Sequence, residues 1–153
     1  MNCVLSSRLF SRLFPLQFSH LKLVESKYLS TSQFEEIADE TLESIHEYVD
    51  DLIEDCNHLE DTDSAFSSGV LTINFGKKYG TYVINRQTPN QQIWLSSPSS
   101  GPKRYDYLAK IDAWVYKRNN QSLHELLQTE IPAIVEKEVN FFKCEHSGSE
   151  KNS

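Results

Sequence analysis

The stretch Thr81–Ser96, TYVINRQTPNQQIWLS, contains two β-strand patterns joined by a turn. Thr81–Gln87 is alternating and rich in β-branched residues, Thr88–Asn90 has turn chemistry, and Gln92–Ser96 is again typical of a strand. A connection this short joins antiparallel neighbours, because parallel strands need a crossover of a dozen or more residues. The stretch therefore predicts an antiparallel hairpin.

Strand patterns continue on both sides of this hairpin. Towards the N-terminus, Ala65-Phe66 leads through a Ser-Ser-Gly turn to Val70–Phe75, which predicts a second hairpin. Towards the C-terminus, Lys103–Tyr107 and Trp114–Tyr116 are shorter strand candidates. The connections are all short, so the sequence predicts an antiparallel sheet of five to seven strands.

One helical pattern precedes the strands and another follows them. The first opens with Ser32–Glu35, which has the form of a capping box, and runs to about Asp55. Its apolar stripe consists of Phe34, Ile37, Ala38, Thr41, Ile45, Tyr48, Val49 and Leu52. The second opens with a similar box, Ser122–Glu125, and we expect Pro132 to kink or divide it near Ile131.

The order of elements, a helix, then a run of strands, then a helix, predicts an α+β fold. Each helix has a single apolar stripe, so we expect both to pack on one face of the sheet. The result is a two-layer α/β sandwich whose other sheet face is left to water or to a partner.

The first thirty residues differ from the rest. They hold Arg8, Arg12, Lys22 and Lys27 but a single acid, Glu25, and apolar residues alternate with arginines around residues 4–14. An Arg- and Ser-rich, acid-poor amphipathic start is typical of an organelle transit peptide, and an untargeted, disordered N-terminus is the alternative. We therefore expect an organelle transit peptide at 1–30, which the family resemblance given below implies to be mitochondrial, a folded domain at 31–146 and a disordered tail at 147–153.

Composition excludes several classes of protein. The 153 residues carry a formal charge of −7, which disfavours nucleic acid or an anionic membrane as a partner. The three cysteines, Cys3, Cys56 and Cys144, are far apart and odd in number, so they predict neither a disulfide framework nor a zinc site. A reducing compartment is expected.

Acidic residues concentrate on the first helix. Between Lys27 and Lys77 there is no Lys or Arg. The same span contains thirteen acids: Glu35, Glu36, Asp39, Glu40, Glu43, Glu47, Asp50, Asp51, Glu54, Asp55, Glu60, Asp61 and Asp63. On a helical wheel the helical acids lie mostly opposite the apolar stripe. Like charges at this spacing repel, and mixed signs would serve solubility equally well, so we favour a functional surface over a merely solvated one.

Surface carboxylates are hard oxygen ligands, and they suit cations such as Mg²⁺, Ca²⁺, Mn²⁺ and iron. Because they are expected to face outward from one helix, they predict weak, exchangeable binding of several cations. His46 and His58 lie nearby in the sequence and are interpreted as bystanders. Cys56 is a possible soft ligand.

Three segments, Ser68–Ile73, Gly80–Asp106 and Ser122–Leu127, closely resemble frataxin, and the resemblance covers residues from about 32 to about 139. It implies an α–β sandwich that works in iron–sulfur cluster assembly in the mitochondrial matrix. Frataxins bind a complex of cysteine desulfurase and scaffold protein, promote sulfur transfer to the scaffold, and bind iron through an acidic ridge. Ferroxidase activity and iron-dependent oligomers are also attributed to the family.

The resemblance also assigns residues by position. The acidic ridge corresponds to Asp39, Glu40, Glu43, Glu47, Asp50, Asp51, Glu54, Asp61 and Asp63. The partner-binding sheet surface corresponds to Asn85, Gln87, Trp94 and Arg104. Strand alternation agrees, because Trp94 faces outward if its neighbours Ile93 and Leu95 face the core. Two departures from the family pattern are Pro132 and the segment Tyr107–Trp114, which is about two residues longer than expected.

Two functions remain open from the sequence. The first is an iron-binding activator of the desulfurase–scaffold complex that also supports iron delivery. The second is a ferroxidase or iron store that oxidises Fe(II) at surface carboxylates. We expect a monomer, with the iron-dependent oligomers that are attributed to the family, and iron as the bound ion.

Overall fold

The computed structural model describes residues 29–148, and the compact unit that begins at Thr31 contains all the elements below. Residues 1–28 of the expected transit peptide and 149–153 of the expected tail lie outside the described residues. The helices are α1 (Thr31–Glu54), α2 (Leu123–Glu130) and the single turn α3 (Pro132–Val135). The strands are β1 (Thr62–Ser67), β2 (Val70–Phe75), β3 (Thr81–Gln87), β4 (Gln92–Ser97), β5 (Gly101–Leu108), β6 (Ala113–Tyr116) and β7 (Gln121–Ser122).

The seven strands form one sheet in sequence order, and each pairs with the next in the antiparallel sense. The helices pack on one face of it, so the predicted α+β sandwich is confirmed. No pattern in the sequence predicts β7 separately, because this strand is only two residues long. The long segment between Tyr107 and Trp114 is accommodated by a turn of four residues, 109–112, and these two residues remain directly paired.

The hairpin of β1 and β2 turns at Ser68-Gly69, as the sequence predicts. Both residues have positive φ angles, 52° and 73°. Two consecutive positive φ angles make a type I′ turn, whose twist matches that of the flanking strands. Gly69 also lies against Arg86 of β3, since a Cβ atom there would come within 3.1 Å of Arg86 Nε.

The core lies between α1 and the sheet. Phe34, Ala38, Thr41, Leu42, Ile45 and Val49 of α1 are buried. They meet Trp114 of β6, which is fully buried, lies edge-on to Phe34 at a centroid distance of 5.9 Å, and donates its indole N–H to Thr41 Oγ1 at 2.8 Å. Thr41 Oγ1 in turn donates to the carbonyl oxygen of Ile37 at 2.7 Å. The buried indole N–H is thus satisfied by Thr41, and leaving it unpaired would cost about 1–3 kcal/mol.

The two predicted capping boxes have different outcomes. At α2, Ser122 N–H donates to Glu125 Oε2 at 2.7 Å and Glu125 N–H donates to Ser122 Oγ at 3.0 Å, so this box is confirmed. At α1 the prediction is wrong, because the helix begins at Thr31 and Ser32 already lies in its first turn. Glu35 accepts a hydrogen bond from Thr88 Oγ1 at 3.1 Å instead.

Pro132 divides the second helical segment at Ile131, as predicted. Proline has no N–H to donate, so α2 ends and α3 begins at this point. Further along, Ser147 forms an isolated bridge with Ala113 of β6. Backbone pairing therefore extends one residue beyond the domain boundary expected at His146, and the domain limits themselves stay a prediction.

Candidate cation-binding and partner-binding surfaces

The acidic ridge consists of the nine carboxylates named above for cation binding, and α1 carries seven of them. Most are exposed: Glu40, Glu43, Glu47, Asp50, Asp51, Glu54, Asp61 and Asp63. Asp61 and Asp63 extend the ridge past the end of the helix, at the start of β1. The structure thus exposes eight of the nine carboxylates, but Asp63 pairs with Asn74 on the side of β1 that faces away from α1, because its neighbour Ser64 contacts His46 of α1. The role of the nine carboxylates as ligands stays a prediction.

Arg86 is a counter-charge that the sequence did not reveal. Its Nη1 donates to Asp39 Oδ2, and its Nη2 lies 3.8 Å from Glu35 Oε1. Arg86 follows Ile84 on the core-facing side of β3, and its side chain is 21% exposed. Since guanidinium is always charged, Asp39 and Glu35 are partly neutralised within the molecule and Asp39 is not freely available to a cation.

A second internal partner holds Glu40. His146 Nε2 lies 2.9 Å from Glu40 Oε2, and His146 Nδ1 lies 2.6 Å from Asp112 Oδ1. Tyr107 O–H donates to the same Asp112 oxygen at 2.5 Å. Burial opposes protonation of His146, but the hydrogen bonds to Asp112 and Glu40 outweigh it and raise its pKa above the ordinary value. The C-terminal segment is therefore tied to α1 by a charge-assisted contact.

His46, His58 and Cys56, which lie near the ridge in the sequence, each form a hydrogen bond within the domain. His46 Nδ1 is 2.6 Å from Ser64 Oγ, and His58 Nε2 is 3.0 Å from the carbonyl oxygen of Ile134. Cys56 is buried and donates its S–H to the carbonyl of Leu52 at 3.0 Å. Within residues 29–148, no three His, Cys, Asp or Glu side chains are grouped so as to hold a metal ion. These positions indicate structural roles for the two histidines and for Cys56.

The predicted partner-binding residues lie in two neighbouring cross-strand rows on the open face of the sheet. Asn85 pairs with Trp94, and Trp94 pairs with Arg104, so these three form one row across β3, β4 and β5. Gln87 lies two residues along β3, opposite Gln92. Trp94 is half-buried between the fully buried Ile93 and Leu95, so its outward direction is confirmed. The role of the rows in binding stays a prediction.

The side chains of these rows are ordered by direct contacts. Arg104 stacks on Trp94, with its guanidinium carbon 4.3 Å from the ring centroid. The indole N–H of Trp94 donates to Gln92 Oε1 at 3.0 Å, and Gln92 Nε2 donates to Asp106 Oδ1 at 3.1 Å. A cation on an aromatic face is favourable by about 0.5–1 kcal/mol at an exposed site. The sequence analysis missed Gln92 and Asp106, although counting two residues from Trp94 and Arg104 would have found both.

The structure is a two-layer α/β sandwich with helices on one face of an antiparallel sheet. It presents an acidic ridge on the first helix and an ordered polar row on the open face of the sheet. The Frataxin-like domain model matches residues 27–137. The chain belongs to the frataxin family.

Curated relatives agree with this assignment. The mitochondrial frataxin homologue of Drosophila melanogaster is 52% identical over 118 residues, which cover 75% of this chain and 62% of that protein. The chain therefore spans less than two thirds of that relative. Mitochondrial frataxin of Caenorhabditis elegans is 44% identical over 72% of this chain and 80% of its own length. Both relatives are named as mitochondrial proteins.

Solved structures show the same fold. Trimeric frataxin from Saccharomyces cerevisiae, crystallised in complex with ferrous iron, is 39% identical, with a TM-score of 0.58 over 66% of this chain and 87% of that chain. Frataxin from Psychromonas ingrahamii is 25% identical, with a TM-score of 0.59 over 74% of this chain and 98% of its own. Among residues 29–148 no helix has the length and apolar character needed to cross a membrane.

Proposed function

We propose that this protein binds iron in the mitochondrial matrix, activates a complex of cysteine desulfurase and iron–sulfur scaffold protein, and supports iron delivery to it. Membership of the frataxin family supports a role in mitochondrial iron metabolism. The yeast relative crystallised with ferrous iron supports iron as the cargo.

The observation that carries the activator role is the row of Asn85, Trp94 and Arg104 across three adjacent strands. Tryptophan and arginine are enriched among the interface residues that contribute most of the binding energy. Such residues cluster near the centre of an interface. Here they stack on each other on a sheet face that the helices leave uncovered. This surface suits docking of a protein rather than enclosure of a small substrate.

The acidic ridge supports a complementary role in iron handling. Its members Glu43, Glu47, Asp50, Asp51 and Glu54 are exposed to solvent. Hard oxygen donors that do not close around a site bind a cation weakly and release it readily. Such binding fits a protein that passes iron on. The same charge would steer the protein towards a basic partner surface.

A ferroxidase or iron-storage function is the second candidate. Carboxylate ligands favour Fe(III) over Fe(II), so the exposed ridge could promote oxidation of ferrous iron by oxygen. The trimeric state of the yeast relative is consistent with iron-loaded assemblies. This candidate needs the ridge, and it does not need the Trp94 row.

Two variants of the full chain separate these candidates. Trp94→Ala removes the centre of the row. A combined variant, Glu43→Gln, Glu47→Gln, Asp50→Asn and Asp51→Asn, neutralises exposed ridge acids and spares Asp39 and Glu40, which have internal partners. We would measure sulfide production by a desulfurase–scaffold complex, together with Fe(II) binding and Fe(II) oxidation.

Activation predicts that Trp94→Ala abolishes the stimulation and keeps iron binding. Retained stimulation by Trp94→Ala, with loss confined to the ridge variant and proportional to lost iron binding, would instead assign iron supply or oxidation as the main function.

We further propose that residues 1–30 are a mitochondrial transit peptide and that 31–146 are the functional domain. The family model begins its match at residue 27, close to this boundary. Fusing 1–30 to a fluorescent protein should direct it to mitochondria. A fusion in which Arg8 and Arg12 are replaced by Glu should stay in the cytosol, and unchanged import of that variant would argue against the assignment.

A further inference from the structure

We propose that Asp106 and Lys117 are positioning residues, which act through Gln92 to fix the orientation of Trp94 on the partner-binding face. The inference rests on the proposed activator function, since it concerns the same surface. It adds residues on β5 and just after β6 to a site that the family resemblance assigned to Asn85, Gln87, Trp94 and Arg104.

The contacts form a continuous chain from solvent to the indole. Lys117 Nζ lies 3.2 Å from Asp106 Oδ2, and the other Asp106 oxygen accepts from Gln92 Nε2 at 3.1 Å. Gln92 Oε1 in turn accepts the indole N–H of Trp94 at 3.0 Å. Gln92 and Asp106 are directly paired across β4 and β5, so the register places them within reach.

The chain has a single allowed direction. An indole nitrogen can only donate, and an ionised carboxylate can only accept. The Gln92 amide between them must therefore turn its oxygen to Trp94 and its nitrogen to Asp106. If Asp106 is removed, the amide loses the partner that fixes this direction, and the indole loses its oriented acceptor.

The same pair also controls the charge beside Trp94. Arg104 and Asp106 lie two residues apart on one face of β5, close enough for an arginine and a carboxylate to attract. Lys117 neutralises Asp106, and Arg104 instead stacks on Trp94. Within the described part of the chain, Arg104 has no ion pair, so its exposed guanidinium is available to an anionic group of the partner.

If the Lys117–Asp106 pair served only to stabilise the fold, removing it would mainly lower the melting temperature. Lys117 is 78% exposed, and pairs this exposed contribute little to the free energy of unfolding. The effect of the pair should therefore appear in the orientation of Trp94 and in partner binding, with little change in melting temperature. This difference makes the role testable.

The first test follows the two indole N–H signals in a nitrogen–proton NMR spectrum of the full chain. Trp94 bonds to Gln92, whereas Trp114 bonds to Thr41 in the core and serves as an internal reference. We expect Asp106→Ala to shift the Trp94 signal and speed its exchange with water, Lys117→Ala to do so more weakly, and the Trp114 signal to stay in place. Lys137→Ala, which removes the lysine of the separate Asp55 pair, is the matched control and should move neither signal.

The second test measures affinity for the desulfurase–scaffold complex. Losing one oriented hydrogen bond should weaken binding about three- to tenfold in Asp106→Ala, with Lys137→Ala unchanged. An unmoved Trp94 signal, or unchanged affinity, in a folded Asp106→Ala variant overturns the positioning role. If Trp94→Ala itself binds as tightly as the unaltered protein, the proposed function fails instead, so the two failures are distinguishable.

Discussion

At the residue scale, Arg86 of β3 connects the first helix to the sheet and to a turn. Its guanidinium contacts Asp39 and Glu35 of α1, and its side chain covers Gly69 in the β1–β2 turn. Asp39 has a second oxygen, Oδ1, that is buried and has no hydrogen-bond partner among the described residues. Asp39 thus depends on Arg86 more than an exposed carboxylate would.

We predict that Arg86→Met lowers the free energy of unfolding by about 1–2 kcal/mol, because the partly buried carboxylate of Asp39 loses its charged donor. An ion pair on the exposed surface would contribute less than this one. Urea denaturation followed by circular dichroism measures this. Arg118→Met removes the same charge from an exposed position in the turn after β6 and should change stability by less than about 0.5 kcal/mol. Equal losses in the two variants would show that Arg86 acts through net charge alone.

His124 is a second residue whose environment makes a quantitative prediction. It is fully buried, and neither ring nitrogen has a partner among the described residues. Burial, together with the neighbouring His146, lowers the pKa of His124 to about 4. In the unfolded chain the pKa is about 6.5, so between these values protons favour the unfolded state and stability is lost as the pH falls.

His124→Leu should remove this loss. Between pH 7.5 and about pH 4, the free energy of unfolding of the variant should increase by about 3 kcal/mol relative to that of the unaltered protein. His146 does not obscure the comparison, because its pKa is raised: its stabilisation is complete below about pH 6.5 and declines above that. Thermal melts between pH 7.5 and 4 measure the effect, and parallel curves for the two proteins would contradict it.

At the scale of elements, strands and hairpins followed closely from periodicity and turn residues. Thr81–Gln87 became β3 within its predicted limits, because alternation and an adjacent turn are local features. The two Ser-x-x-Glu motifs show where local information ends. Around Ser122 the pattern forms a capping box. Glu35 instead accepts a hydrogen bond from Thr88 and forms an ion pair with Arg86, and both partners are more than fifty residues away in sequence.

These two serines provide a matched pair of variants. Ser122→Ala should cost about 1 kcal/mol of stability, because Glu125 N–H loses its acceptor at the start of α2. Ser32→Ala should change stability by less than about 0.5 kcal/mol, since Ser32 lies inside the first turn of α1 and alanine is a better helix former there. Chemical denaturation of both variants checks this, and a loss at Ser32 equal to that at Ser122 would show that α1 uses a cap after all.

At the scale of the whole molecule, the faces of the sheet could be predicted and the ion pairs could not. Strand parity alone placed Trp94 on the open face, because side chains alternate in any strand. The sequence suggested that the ridge lacks counter-charges, and Arg86 and His146 contradict this. Their contacts depend on packing between distant parts of the chain, which no local pattern encodes.

The remaining exposed acids therefore govern how the whole molecule responds to ions. Neutralising Glu43, Glu47, Asp50 and Asp51 together should stabilise the protein by about 1–2 kcal/mol at low ionic strength, because several like-charge contacts at helical spacing are relieved. The gain should shrink at 1 M NaCl, where charges are screened beyond about 3 Å.

In the unaltered protein, Mg²⁺ should raise the melting temperature more than NaCl of equal ionic strength, since direct binding to the folded state adds to screening. Glu136→Gln/Glu138→Gln, which neutralises two exposed acids that are not members of the ridge, should leave that Mg²⁺ effect intact, whereas the ridge variant should lose it. If melting temperatures of the ridge variant still rise with Mg²⁺ as in the unaltered protein, the ridge is a solvated helix face and cations bind elsewhere.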